Sequence, residues 1–403
     1  MYLDSKSFVS REQALQMLLE RWQFKKKSDF VSLQNARGRI CTSDIYSKNT
    51  LPVYRSSRLD GIAVRFADLE KGMPDTSSWC KGIDYVAADT GDDFDDAFDT
   101  VIPIEDVTYL ENQQLVIHPA ESVKKGQYVS QSGDNIKTGE LLVRKGTCLE
   151  PVHLGLLASG GITQVEVAHK PLVAFIPTGD ELIDAGTPPQ RGQNIQSNSI
   201  MVEGLLSQWT ADFLSYPIIP DKRDDMEDAL SDALSKADII IVNGGSSKGH
   251  EDHTGRILLD KASFIQHGIK SIPGIPVAVS IVNEKPVINL PGPPLAAFYA
   301  MDWCVCALVF HYLGYPMPKR PEVPVVLQSA IQTPEPFDFY VRLSVVKNQD
   351  HYEASVLTWD HRMPALVSGC NAIVIVPIGV SGYQKGQVIK AELLYGLNGV
   401  PDK

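Results

Sequence analysis

The sequence predicts a multi-domain α/β plus β protein: a central doubly wound parallel sheet, mixed and β-rich lobes before it, and a small β-barrel-like domain after it. Three observations lead there. Between Lys170 and about Leu313, apolar β-rich runs alternate with amphipathic helical segments, the rhythm of a parallel sheet with crossover helices. The texture breaks on either side, at Lys170-Pro171 and at Gly314-Tyr315-Pro316-Met317-Pro318, and beyond the second break only short strand-like runs parted by turns remain. A chain of 403 residues is also too long for one ordinary core and fits two to four domains.

Taken in order, Ser10 followed by Ala14, Leu15, Leu18 and Leu19 reads as a capped amphipathic helix. A short extended piece follows Ile40, and a polar loop ending in Asp60-Gly61 feeds a strand over Ile62–Arg65. Asp60 is read either as the turn residue before Gly61 or as a functional carboxylate. The stretch AADTGDDFDDAFDTVIPIED carries eight acidic residues, most of them suited to a solvated loop. Glycines at 126, 133, 139 and 146 recur every six to seven residues, which suggests tight turns in a small β lobe. His153–Ser159 reads as a short helix closed by Gly160-Gly161.

In the central region, strands are expected over Leu172–Ile176, Phe213–Ile219, Ile239–Val242 and Val287–Leu290. Helices are expected from Asn198 through Trp209, over the face of Met226, Ala229, Leu230, Ala233 and Leu234, and from Leu295 to about Leu313. The C-terminal strands are Val323–Leu327, Phe339–Val346, Tyr352–Leu357, Ala372–Val376 and Val388–Leu394. The domain division that follows is 1–50 with 130–169 as a discontinuous N-terminal domain, 51–129 as an inserted β-rich lobe, 170–318 as the α/β domain and 319–403 as the all-β domain.

Bulk chemistry narrows the function. Lys+Arg 37 against Asp+Glu 49 gives a net charge of −12, which argues against nucleic acid or an anionic membrane as main partner. There is no uninterrupted run of about 18 apolar residues and no signal-peptide pattern, so a cytoplasmic protein is expected. The six cysteines lack C-x-x-C spacing, which fits a reducing compartment and speaks against a thiolate metal site.

Ligand chemistry concentrates in four loops. In an open α/β sheet, ligands bind beyond the carboxyl ends of the strands, where free backbone N–H groups meet anions and glycine permits close approach. PTGDEL (177–182), Asp221, NGGSSKG (243–249) and LPGPP (290–294) all follow predicted strands. The strand-to-glycine turn at 239–249 is by itself either a ligand loop or merely a tight turn; its company favours the ligand loop.

Six motifs in one order carry a family resemblance. LPVYRSSRLDGIAVR is similar to a P-x-x-x-x-S-x-M-D-G-x-A-V-R pattern; Thr90-Gly91 together with Asp99 through Asp106, then Gly133 through Gly139, PTGDEL, Gly244 through His253 and LPGPPLA complete the set. The chain resembles the MoeA-type molybdopterin molybdenumtransferases, to which the E domain of gephyrin is also similar, over nearly its whole length. The resemblance implies a molybdopterin-binding type α/β domain and a role in molybdenum cofactor biosynthesis: adenylylated molybdopterin and molybdate react, with Mg²⁺, to give cofactor and AMP. It implies catalytic roles for Asp60, Glu181, Asp221, Asp252 and Lys270, with Asp60, Asp221 and Asp252 toward the metal. The pterin nucleotide falls to Thr178, Gly179, Asp180, Gly244, Gly245, Ser247, Gly249, Pro291 and Gly292. It further implies a homodimer with a shared active site, and an upstream adenylyltransferase or cofactor-receiving protein as partner.

The departures from the family pattern cluster at these loops. Ile275 stands at a family lysine, Pro293 at an asparagine, His250 at a glutamate and Leu59 at a methionine, while TWDHRMP replaces a Q-G-S element. Two readings therefore stand: a divergent working transferase, with tungstate or another nucleotide as substrate variants, or a molybdopterin-binding paralogue acting as carrier or scaffold. The surviving carboxylates favour the enzyme.

Overall fold

The computed structural model describes residues 7–111, 114–118, 122–245, 253–358 and 369–403. The chain forms two compact units, Ser28–Val167 and Met1–Lys27 with Ala168–Lys403.

The Ser28–Val167 unit is built on antiparallel pairs. Gly61–Val64 is the central strand of a three-stranded sheet, flanked by Tyr85–Ala88 and Thr100–Pro103. One core gathers Ile62, Val64, Tyr85, Ile102 and Leu115; another joins Leu33 and Cys41 to Val143, Leu157 and Val165. The expected glycine turns are present: Gly126, Gly133, Gly139 and Gly146 all have positive φ. The short helix runs over Pro151–Ser159, its first residue a proline whose fixed φ and missing N–H suit a helix start.

In the second unit the N-terminal helix α1 (Arg11–Arg21) begins with a capping box, in which the Ser10 hydroxyl accepts from Gln13 N and the Gln13 side chain accepts from Ser10 N. The central sheet has six strands: β1 (Leu172–Pro177), β2 (Asp212–Ser215), β3 (Ile239–Asn243), β4 (Phe264–His267), β5 (Ala278–Val282) and β6 (Lys285–Leu290), in the order β2-β1-β3-β6-β5-β4. The first four in that order are parallel, as expected from their alternation with α2 (Asn198–Gln208) and α3 (Arg223–Lys236). Val173–Ile176 and Ile239–Val242 are fully buried, as strands covered on both faces must be. Met226, Leu230 and Ala233 of α3 seal one face with α4 (His253–Lys261), through Ile257 and Leu258.

Two expectations are corrected here. The sheet is mixed, because β4 and β5 add an antiparallel edge that the sequence reading passed over. β5 and β6 form a hairpin whose two turn residues, Asn283 and Glu284, both take positive φ (+48° and +65°). A turn of that twist normally announces itself with glycine, and here it carries none. The strand expected over 213–219 ends at Ser215; Pro217, lacking an N–H, interrupts the ladder, and Ile219 returns only as an isolated bridge to Thr178.

The helical stretch Pro294–Leu313 is continuous, with a π turn at Met301–Val305. It is long and apolar enough to cross a membrane by length and composition, but 67% of its most apolar window is buried within the protein. It is a core helix, interrupted by Asp302, which pairs with Arg320 (2.9 Å), and it ends at Gly314 in the left-handed conformation. Beyond it, β7 (Glu322–Leu327), β8 (Asp338–Asn348), β9 (His351–Val356), β10 (Ala372–Val376) and β11 (Val388–Leu393) close into a five-stranded barrel-like ring in the order β8-β9-β7-β11-β10 and back to β8. Each of the five strands is thus paired on both sides, and the short strand Ser271–Ile272 adds to the start of β8.

Candidate functional site

The register across the parallel strands sets the site. Pro177 of β1 lies opposite Asn243 of β3, and Asn243 opposite Leu290 of β6, so three strands end level and their following loops emerge side by side. Thr178 N donates to Asn243 O (3.0 Å) and Gly244 N to Leu290 O (3.1 Å), which extends the ladder one step into the loops. Gly244 has φ +122°, and a Cβ there would overlap the Thr178 carbonyl. Only glycine lets the two loops approach this closely.

Carboxylates collect beside that junction. The Thr178 hydroxyl donates to Asp221 Oδ1 (2.9 Å), and Asp221 N donates to Asp180 Oδ1 (3.1 Å). Each carboxylate thus has one oxygen fixed and another without a partner among the described residues. Glu181 is exposed next to them, its carbonyl accepting from Asn194 N (2.8 Å). On the other flank a buried asparagine network ties the strand ends together. Asn243 Nδ2 donates to Pro291 O (2.8 Å), Asn289 Nδ2 to Gly244 O (2.8 Å), and Asn198 Nδ2 to both Asn243 Oδ1 and Gly292 O (2.9 Å each).

Of the residues singled out from sequence, Thr178, Gly179, Asp180, Glu181, Asp221, Gly244, Gly245, Pro291 and Gly292 are therefore brought to one end of the sheet. Ser247, Gly249 and Asp252 lie outside the described residues. Lys270 follows β4, whose carboxyl end shares this side because β4 and β5 reverse direction twice from β6. It stands at the far edge, about 19 Å from β1 by strand spacing, with its backbone bonded to Val9 and Asp338. Asp60 belongs to the Ser28–Val167 unit. It is exposed, and its Oδ1 accepts from both the Thr90 hydroxyl and Thr90 N (2.7 Å each), which holds its carboxyl below the usual range.

Sequence reasoning missed the asparagines. Asn198 read only as a helix start and Asn243 only as part of a turn. Their one sequence signal was an amide residue at the end of a wholly apolar strand, where the backbone groups of neighbouring loops need partners.

An open α/β sheet with glycine turns and carboxylates at its strand ends, joined to a closed five-stranded barrel-like ring, presents its loops where open α/β proteins bind ligands. Residues 9–161 match the family model described as "MoeA N-terminal region (domain I and II)", and residues 174–311 match the one described as "Probable molybdopterin binding domain". The chain is 32% identical to the molybdopterin molybdenumtransferase of Haemophilus influenzae over 78% of this chain and 80% of that protein. It is 26% identical to the enzyme of the same name from Bacillus subtilis, over 93% and 91%. A crystal structure of the molybdopterin biosynthesis MoeA protein from Pyrococcus horikoshii has the same fold, with TM-score 0.73 at 24% identity over 96% of this chain and all of that one. The chain belongs to the molybdopterin molybdenumtransferase family.

Proposed function

We propose that the protein acts in molybdenum cofactor biosynthesis by inserting molybdate into adenylylated molybdopterin, releasing AMP with the help of Mg²⁺. The observation that carries this reading is the convergence of Thr178, Asp180 and Asp221 beside the Gly244 turn in a member of this family. Splitting a phosphoanhydride creates negative charge on oxygen, and a divalent cation together with aimed N–H groups offsets it.

Mg²⁺ fits the residues present. It keeps several waters and takes one or two carboxylates plus substrate phosphates, rather than a full protein cage. Asp180 and Asp221, each with one oxygen unbonded among the described residues, supply that number. When bound, the ion would neutralise the phosphate oxygens. Asp221 is held in place for this by the Thr178 hydroxyl, and Asp180 by Asp221 N. Gly244 and Gly245 let phosphate oxygens approach the backbone. Asp60 and Asp252 are proposed as further metal-side carboxylates, Glu181 as a catalytic carboxylate, Ser247 and Gly249 as parts of the phosphate cradle, and Lys270 as a cation for the oxyanion.

The test is AMP release from molybdopterin adenylate with molybdate and Mg²⁺, in wild type and in Asp221→Asn. Release that depends on metal and falls by at least tenfold in the variant is expected. Tight pterin binding with no release would remove the enzyme reading and leave that of a non-catalytic carrier or scaffold. A cytoplasmic homodimer with a site shared between subunits, served by an upstream adenylyltransferase, completes the proposal; a monomer by light scattering at micromolar concentration would overturn its assembly part.

A further inference from the structure

A cavity of about 940 Å³ lies between α2, the helical stretch Pro294–Leu313 and the side of the barrel-like ring that carries Tyr340, Ile375 and Glu392. It is remote from the strand-end loops. α2 starts beside those loops and runs about 16 Å to Trp209, its C-cap, just before β2 begins. Trp209, Phe298 and Trp303 give the cavity an aromatic wall. Both tryptophans are only 8% exposed, yet neither indole N–H has a hydrogen-bond partner among the described residues. An indole N–H can only donate, and when buried it usually finds an acceptor. Neither nitrogen is sealed off, and the cavity is the open space that both residues line.

Charge around Glu392 is unbalanced. Glu392 of β11 lies directly across the ladder from Glu322 of β7, a position in which like charges repel. Asp302 brings a third carboxylate to the same cavity. Arg320 stands among them, but both of its Nη groups go to Asp302 (2.9 Å from Nη1), and Glu392 is reached only at 3.6 Å. Burial, reinforced by the charges of Asp302 and Glu322, holds the Glu392 carboxyl above its usual range against the pull of Arg320. The other cations of the lining do not correct this. Arg11 is taken by Asp338 (2.9 Å) and the Tyr340 hydroxyl (2.7 Å), and Lys319 is exposed, where water and salt screen it.

We propose that this cavity is a second ligand site, which takes a small organic cation carrying an aromatic ring and a hydrogen-bond acceptor. The cationic group balances Glu392, the ring packs on the aromatic wall, and the acceptor meets the indole N–H groups. Aromatic faces attract cations as well as burying rings, so wall and carboxylate select the same ligand. The site is separate from the strand-end carboxylates and goes beyond the transferase reading.

The full chain is titrated calorimetrically with three probes. Tyramine has the cation, the ring and a hydroxyl acceptor; phenethylamine lacks the hydroxyl; hydroxyphenylpropionate carries a carboxylate in place of the ammonium. Tyramine should bind with a Kd on the order of 1 mM, within reach of so small a ligand. The propionate should bind weaker on the order of tenfold, and phenethylamine weaker by roughly fivefold. Glu392→Gln keeps the shape and should remove the preference over the propionate. Trp209→Phe combined with Trp303→Phe keeps the rings and should remove the preference over phenethylamine. The wild-type comparison stands whether or not a variant folds, as read by circular dichroism. Equal binding of tyramine and either other probe, or no binding of tyramine at about 10 mM, overturns the proposal. So does a folded Glu392→Gln protein that keeps the full preference.

Discussion

Replacing Gly244 by alanine tests whether the junction of the β1 and β3 loops is as tight as its geometry requires. Two costs add. A non-glycine residue at φ +122° is strained by about 1–3 kcal/mol. The new Cβ also overlaps the Thr178 carbonyl. That carbonyl belongs to a residue pinned through its N–H to Asn243 (3.0 Å) and through its hydroxyl to Asp221 (2.9 Å), so relief by backbone shift costs about another 1–3 kcal/mol. The sum is about 4 kcal/mol, or ~10 °C in Tm for a unit of this size. Two other glycines supply internal controls. At Gly179, φ is +149° but the added Cβ meets only the flexible Glu181 carboxylate, so the cost is about 2 kcal/mol. At Gly292 nothing lies within 4 Å and the change should stay within about 0.5 kcal/mol. Thermal unfolding followed by tryptophan fluorescence reports on this unit through Trp22, Trp209 and Trp303. The order Gly244 above Gly179 above Gly292 is the expectation. A Gly244→Ala protein that melts within 1–2 °C of wild type, or a Gly292→Ala protein that melts as low as Gly244→Ala, refutes the close-approach argument.

Thr178→Val removes the hydroxyl that holds Asp221 while keeping the side-chain shape; loss of a bond to a charged acceptor should cost about 1.5–3 kcal/mol in unfolding free energy and lower AMP release with little change in fold by circular dichroism. Thr90→Val should let the Asp60 carboxyl rise toward the ordinary value, seen in a carboxyl NMR titration. Because the folded value is depressed, its stabilising contribution is complete above the unfolded value of about 3.9 and is lost as pH falls through the lower folded value. The variant should show a weaker dependence, because the residue-90 N–H still donates to Asp60, and an unmoved titration would sink the assignment. Arg11→Met leaves the buried Asp338 carboxylate without its Nε partner (2.9 Å) and Tyr340 without the Nη1 donor (2.7 Å). A loss of about 3 kcal/mol is expected in a urea titration, and a change below 0.5 kcal/mol would show that the pair contributes nothing net.

Much of the fold was legible because local chemistry and global position agree. The alternation of apolar strands and amphipathic helices, the Ser10 cap, the glycine turns and the five C-terminal strands all follow from periodicity and turn residues that act over a few positions. The hairpin at Asn283-Glu284 was hidden because its second turn position, where glycine is the usual residue, carries Glu284, which does not favour a left-handed φ. The strand after Phe213 read too long because its apolar pattern runs past the point where Pro217 ends the ladder.

The candidate site divides the same way. By itself the sequence determined which loops carry glycine, threonine and carboxylates, and that these loops follow strands. Strand order and register are long-range properties, set by which apolar faces pair across the sheet. Only the tertiary structure could therefore decide that Pro177, Asn243 and Leu290 end level, that Asp180 and Asp221 share a flank with Thr178 while Lys270 stands at the opposite edge, and that Asn198 lies buried among the strand ends, bonded to Asn243 and Gly292. A motif names its residues one loop at a time, whereas a hydrogen bond between loops exists only once the sheet has fixed the distance between them.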